Sequence, residues 1–190
     1  MNSRTRFLWT SFVFLAILAL VGCEKFQKET YKMSDYDQKA CSILQSEQAD
    51  TLRPPAVDEL NPDWTPDNVL EHAAELADSL RARGIVIAEG EKNHVVVPPA
   101  KADTSYLCLT VESEEVTVFL SDVVDVVLID LQGKVLHAEK TSIPFEVAAE
   151  CPDILARLTF SVKPGTYLLL FGMNDRTLGK PVHMTVLKGH

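Results

Sequence analysis

Basic charge is what this chain has too little of: 18 lysines and arginines stand against 27 aspartates and glutamates, a formal net charge of -9. With no basic patch to release counterions, the composition argues against nucleic acid or anionic headgroups as partners. The densest basic cluster, Lys25, Lys28 and Lys32, reads as part of a solvated tether. Long apolar runs are equally scarce. One occurs, from Phe7 to Val21, broken only by Thr10 and Ser11, and it falls short of the ~20 apolar residues of a comfortable membrane-spanning helix. Catalytic spacings are missing too. There is no Gly-x-Ser-x-Gly, His-Glu-x-x-His, Cys-x-x-Cys or Gly-x-Gly-x-x-Gly, and the stretch from Gly172 to Lys180 has the wrong spacing for a phosphate loop. No enzymatic activity and no cofactor are expected.

The apolar run has the plan of a secretory leader. Arg4 and Arg6 precede it, no acid occurs before Glu24, and it ends in Leu20-Val21-Gly22-Cys23. Charge, core and small residues in that order are those of a signal peptide. The last four residues resemble the lipobox of bacterial lipoproteins. That resemblance implies that Cys23 takes a diacylglycerol, that residues 1–22 are removed, and that the new N-terminus is acylated. Two or three acyl chains anchor stably, since each buried CH₂ contributes ~0.8 kcal/mol and a single chain is marginal. In enterobacterial-type sorting an aspartate after the cysteine favours the inner membrane. Glu24 stands there instead, so the resemblance points to a cell-envelope protein of the outer membrane, on its periplasmic or surface face.

Residues 23–64 are polar and irregular, with Arg53-Pro54-Pro55 and Asn61-Pro62 near the end; they are expected to form a flexible tether. A short helix from Lys39 to Gln48 is an alternative for part of them. The segment 65–100 reads as a helix plus a β-hairpin. Thr65 suits an N-cap, Pro66 the first helical position and Asp67 the helix dipole. Val69, Ala73, Leu76, Ala77 and Leu80 share one face, and Gly84 closes the helix. Ile85 to Ile87 and Val95 to Val97 are β-branched runs that read as the two arms of a hairpin turning near Gly90.

From residue 103 to 190 the pattern is all strand. About seven short apolar-polar alternations, separated by turns such as Gln132-Gly133 and Pro164-Gly165, predict an antiparallel β-sandwich, immunoglobulin-like or related. Three cysteines remain after the leader: Cys41, Cys108 and Cys151. An exported chain would hold one bridge among them and one leftover thiol. Cys108, the Asp130-Leu131-Gln132-Gly133-Lys134 turn, Cys151-Pro152 and Phe160 through Pro164-Gly165-Thr166-Tyr167 resemble small exported bacterial β-sandwich modules. In these a strand cysteine and a later Cys-Pro bracket the sheet. The resemblance implies a Cys108–Cys151 disulfide, with Cys41 as the odd thiol; the residues by themselves leave Cys41 free to pair with either.

Cys108, Cys151, His137, His183 and Met184 form a soft-ligand set, and Phe160 to Phe171 resembles the last strands of cupredoxins. The chain departs where it matters: Phe171 and Gly172 stand where a copper-binding cysteine belongs, and no Cys-x₂₋₄-His spacing follows. No metal site is assigned. A looser site using Met173, His183 or His190 is the alternative. His72 and Glu75, three apart on the helix, and the acids Glu112, Glu114 and Glu115 in an expected hairpin turn read as solvated charge. The sequence therefore points to a lipid-anchored, non-enzymatic binding or scaffolding module of the cell envelope with an envelope protein as partner. The alternative is a periplasmic accessory protein that binds a metal or small ligand.

Overall fold

The computed structural model describes residues 32–100, 103–139, 143, 145–173 and 177–189. Residues from Met33 onward form one compact unit. The lipobox and Cys23 lie outside the described residues.

The fold is mainly β, with two five-stranded sheets packed face to face. The first sheet has the order β1 (Ala49–Leu52), β3 (Gly90–Val96), β10 (Val182–Lys188), β5 (Glu115–Leu120), β8 (Ala156–Ser161). The second has the order β2 (Val86–Ala88), β4 (Thr104–Val111), β9 (Gly165–Gly172), β6 (Asp125–Ile129), β7 (Val135–Leu136). The predicted β-sandwich is present; β4 to β10 fall after residue 103, and β1, β2 and β3, which precede it, complete the two sheets. Pairing is antiparallel except at one edge of each sheet, where β1 runs parallel to β3 and β2 parallel to β4.

Among the described residues, successive strands change sheet at every step but one; only β6 and β7 are joined as a hairpin. The hairpin expected between Ile85 and Val97 is therefore not formed. β2 pairs with β4 in the second sheet, whereas β3 pairs with β10 in the first. Two β-branched runs and a short link fit a hairpin and a sheet-to-sheet corner equally well. The corner places Ile87 and Val96 fully in the core, which a free-standing hairpin cannot do.

The core lies between the sheets. Alternation puts Val116, Val118, Leu120, Val182, Met184 and Val186 on the inner side of the first sheet, facing Leu107, Leu109, Leu169 and Phe171 of the second. Each is almost fully buried and stabilises the fold by roughly 1.5–3 kcal/mol.

Both outer faces are covered. A 3₁₀ turn (Val69–His72) runs into a helix, α3 (Ala73–Ala82). Val69, Ala73, Leu76, Ala77 and Leu80 are all buried, as their spacing predicts, and α3 packs on β4 and β9. The start differs from the prediction. Thr65 does not cap the helix; its N–H donates to Asn68 Oδ1, so a turn at 65–68 precedes the 3₁₀ segment. The predicted end is found: Gly84 has φ +71°, Ile85 N–H bonds Leu80 O and Gly84 N–H bonds Arg81 O, the paired bonds of a Schellman cap. The entry is pinned elsewhere too. Gly133 in the β6–β7 turn has φ +81° and a Cβ there would run into the carbonyl oxygen of Leu70.

The expected tether is folded from Met33 onward. Helix α1 (Asp35–Leu44) and helix α4 (Phe145–Glu150) contribute, with Phe119 and Leu187 of the first sheet, to a second apolar cluster. β1 follows, then the short helix α2 (Val57–Leu60). The local composition misleads here because α1 offers only Ala40, Cys41 and Leu44 as a buried apolar face. The rest of its attachment is long-range: a disulfide, a buried ion pair, and Asn93 Nδ2 donating to the orphan carbonyls of Leu44 and Ser46. The overlooked local signal is Ser34-x-x-Asp37, a capping pattern: Ser34 Oγ accepts from Asp37 N–H and donates to the Asp37 carboxylate.

Candidate functional site

The cysteines come first, because their arrangement overturns an expectation. Cys151 is bonded to Cys41, with Cα atoms 6.0 Å apart, and Cys108 is a free, buried thiol. The Cys108–Cys151 pairing implied by the resemblance is not made. Cys108 lies in β4 on the face covered by α3, where burial raises its pKa and the nearby Arg81 guanidinium opposes that rise. Cys151 follows α4 on the outer side of the other sheet, in the cluster that holds Cys41. Two sheets separate the two cysteines. The observed bridge spans 110 residues, which in the chain-entropy picture contributes ~4–5 kcal/mol.

Around the bridge, Arg157 of β8 makes the main polar contact. Its Nη1 lies 3.1 Å from Asp37 Oδ1, and Asp37 is only 3% exposed. The same guanidinium sits 5.8 Å from the ring centres of Tyr36 and Phe119, a favourable placement for a cation over π faces. Tyr36 Oη donates to Lys188 O. Its pKa is raised, chiefly by burial. These groups bind α1 to the sheet and are used up in doing so.

The soft residues are not gathered. Met184 points into the core between the sheets. His183, its neighbour on β10, points to the other side, with Nδ1 3.3 Å from Asn93 Nδ2. Cys108 is under α3, and Cys151 is in the disulfide. Among the described residues no three His, Cys, Asp or Glu side chains stand close enough to hold a metal. His190 lies outside the described residues. His72 and Glu75 do meet, Nδ1 to Oε2 at 3.5 Å, and His72 also stacks on Trp64 with centroids 5.8 Å apart. That stack fastens the helix entry. Glu112 and Glu114 sit at the corner between β4 and β5, not in a hairpin, and Glu115 opens β5. Glu89 holds that corner: its Oε2 accepts from Glu112 N–H, Ser113 N–H and Ser113 Oγ.

Three surface depressions stand out. The first, about 670 Å³, joins the two motifs of the β-sandwich resemblance: the 130–134 turn on one side and Ser161 to Tyr167 on the other. Its polar groups are largely occupied. Asp130 Oδ1 accepts from Gln132 N–H and Lys134 N–H, and Tyr167 Oη bridges Lys163 N and O. The motifs thus serve to turn the chain. The second, about 520 Å³, lies beside α1 and β1, where Lys92 already pairs with Asp50. The third, about 590 Å³, is walled by two Pro-Pro segments and carries two arginines, Arg53 and Arg83.

A further buried titratable group among the described residues is His94 on β3. It is 5% exposed, with no hydrogen-bond partner at Nδ1. Burial lowers its pKa; Asp50 opposes the shift and Lys92 adds to it. Comparison with known proteins adds no identity to this geometry: no protein-family model matches the chain, and no curated protein matches it.

Proposed function

We propose that this protein is a lipid-anchored, non-enzymatic binding or scaffolding module of the bacterial cell envelope, held to the membrane through Cys23. The observation that carries the reading is the buried Cys41–Cys151 disulfide behind a leader-like N-terminus. Disulfides persist in exported proteins and are rare in the reducing cytosol. The scattering of Cys108, His183 and Met184 over different layers supports a binding role over a catalytic or metal-handling one.

The extent of the folded unit sharpens the reading. Only residues 24–32 separate Cys23 from Met33, where the compact unit begins. Even fully extended, that link reaches ~35 Å at most, so the module works close to the bilayer. Of the four edge strands, β1, β2 and β7 are short and short edges resist strand addition, while β8, six residues long, already takes Glu139 N–H on its Thr159 O. Loops and grooves are left to do the binding.

Intact-mass measurement of protein from native membranes tests the anchor. The expected product starts at Cys23, is heavier by its acyl groups, and yields a Cys41–Cys151 peptide under non-reducing digestion. An unmodified Cys23 would overturn the anchored reading, and free Cys41 and Cys151 in freshly isolated protein would overturn export.

A further inference from the structure

The third depression has a construction that the rest of the surface lacks. β1 and β3 run parallel and in register, Leu52 opposite Val96, and both then enter a proline pair, Pro54-Pro55 and Pro98-Pro99. The ladder ends with Val97 N–H on Leu52 O at 2.9 Å, because prolines have no N–H to continue it. Together with Ile85 and Val97 they line the groove. Fixed φ angles make it a stiff surface, so little ordering entropy is lost when something binds there.

Charge tells what that something is. Four arginines lie among the described residues. Arg81 and Arg157, outside the groove, are paired with Asp78 and Asp37. Arg53 and Arg83, on the groove, are exposed, and neither has a carboxylate within ion-pair distance among the described residues. Arg83 makes one weak contact, Nη2 to the backbone oxygen of Glu59 at 3.4 Å. In a chain with 27 acids against 18 bases, two guanidiniums on one proline-lined trough, against the single acid Glu59 on its wall, are a local excess of positive charge. Guanidinium forks match carboxylates in bidentate geometry.

The geometry points to a binding groove for an extended acidic peptide segment of a partner protein. Its carboxylates engage Arg53 and Arg83, and its body lies on the proline-lined floor between them. A small anion would leave the proline-lined floor wet; a peptide covers it. This inference supplies the partner chemistry of the binding-module reading and rests on that reading. A failure of peptide binding leaves the mass of Cys23 unchanged, so the two fail separately.

The test uses the full chain and a fluorescein-labelled, end-capped peptide of alternating glutamate and valine, read by fluorescence anisotropy. Saturable binding that weakens as salt is raised is expected. The double variant R53A/R83A is expected to bind about ten-fold or more weakly, with its melting temperature unchanged because both side chains are exposed. R53K/R83K, which keeps the charges but not the forks, should fall between, and R81A should bind like the parent. Equal binding by R53A/R83A, or by a lysine-valine peptide, overturns the groove. Competition by succinate as effective as the unlabelled peptide overturns the peptide in favour of a small dicarboxylate. Self-association in sedimentation that R53A/R83A abolishes overturns the separate partner in favour of a second copy.

Discussion

The outer faces of the two sheets are covered in different ways. On the second sheet, α3 lies over β4 and β9, and its apolar stripe belongs to the main core cluster. Leu76 and Leu80 are fully buried there, and neither a covalent bond nor a buried ion pair is needed to hold the helix. On the first sheet, α1 and α4 build a smaller separate cluster around Phe119 and Leu187. That cover is secured by the Cys41–Cys151 bridge and by the Asp37–Arg157 pair. A helix with a broad apolar stripe docks by area alone, roughly 25 cal/mol per Å² removed from water. Helices with narrow stripes need a staple.

If that contrast holds, the largest effect comes from removing the staple. The double variant Cys41→Ser/Cys151→Ser is expected to lose ~4 kcal/mol of unfolding free energy, read from urea midpoints; a loss below ~1 kcal/mol would mean that α1 and α4 dock unaided. Next, Leu76→Ala on the other face should cost ~3 kcal/mol, as deletion of a fully buried leucine does. The loss caused by Leu76→Ala should be the same size with the bridge oxidised or reduced, because the two faces share no partners and independent losses add. Arg157→Leu strands the Asp37 carboxylate and should cost ~2 kcal/mol, below the ~3–5 kcal/mol of a fully buried pair because the Arg157 side chain is 24% exposed. Its signature is faster hydrogen exchange at residues 35–44 in mass-spectrometric mapping, with α3 unaffected.

The smallest effect concerns pH and the layer between the faces. His94 has a folded-state pKa below its ordinary value of 6.5, so as pH falls through that region the unfolded chain takes the proton first. Stability is then fully present above about pH 7 and declines as pH drops below ~6.5, until His94 is protonated in the fold as well. The groups acting on it are Asp50, its cross-strand partner, and Lys92. Urea midpoints at pH 7.5 and 5.5 should differ less in His94→Gln than in the parent. An equal difference would place the pH dependence elsewhere.

The same contrast explains which parts could be read in advance. The face of α3, its Gly84 ending and the strands β4 to β10 rest on periods of 3.6 and 2 and on turn residues, all within a few positions of one another. The Thr65 cap failed over three residues, because Asn68 reached back to the Thr65 N–H first. The 85–97 hairpin failed because the pattern of two strands does not say which sheet each joins. Residues 33–64 failed for the deeper reason that their fold depends on partners 47 to 152 positions away: Asn93, Cys151, Arg157 and Lys188. The local clues to α1 were Ser34-x-x-Asp37 and the alternative helix from Lys39 to Gln48, which overlaps α1 over residues 39–44. The groove at Arg53 and Arg83 was invisible for the same reason, since its two proline pairs are neighbours only through the β1–β3 ladder.

Sequence by itself determined the mainly β architecture, the strand positions after residue 103, the buried face of α3 and the arithmetic of one bridge with one free thiol. Those follow from periodicity, turn chemistry and counting, which act locally or on the whole chain at once. Tertiary structure alone decided which cysteines pair, which sheet each strand enters and where uncommitted charge meets apolar surface. Cys108 and Cys151 each sit where a strand cysteine and a Cys-Pro are expected, but two sheets lie between them. A bond of fixed length forms only where the packed layers bring two sulfurs together.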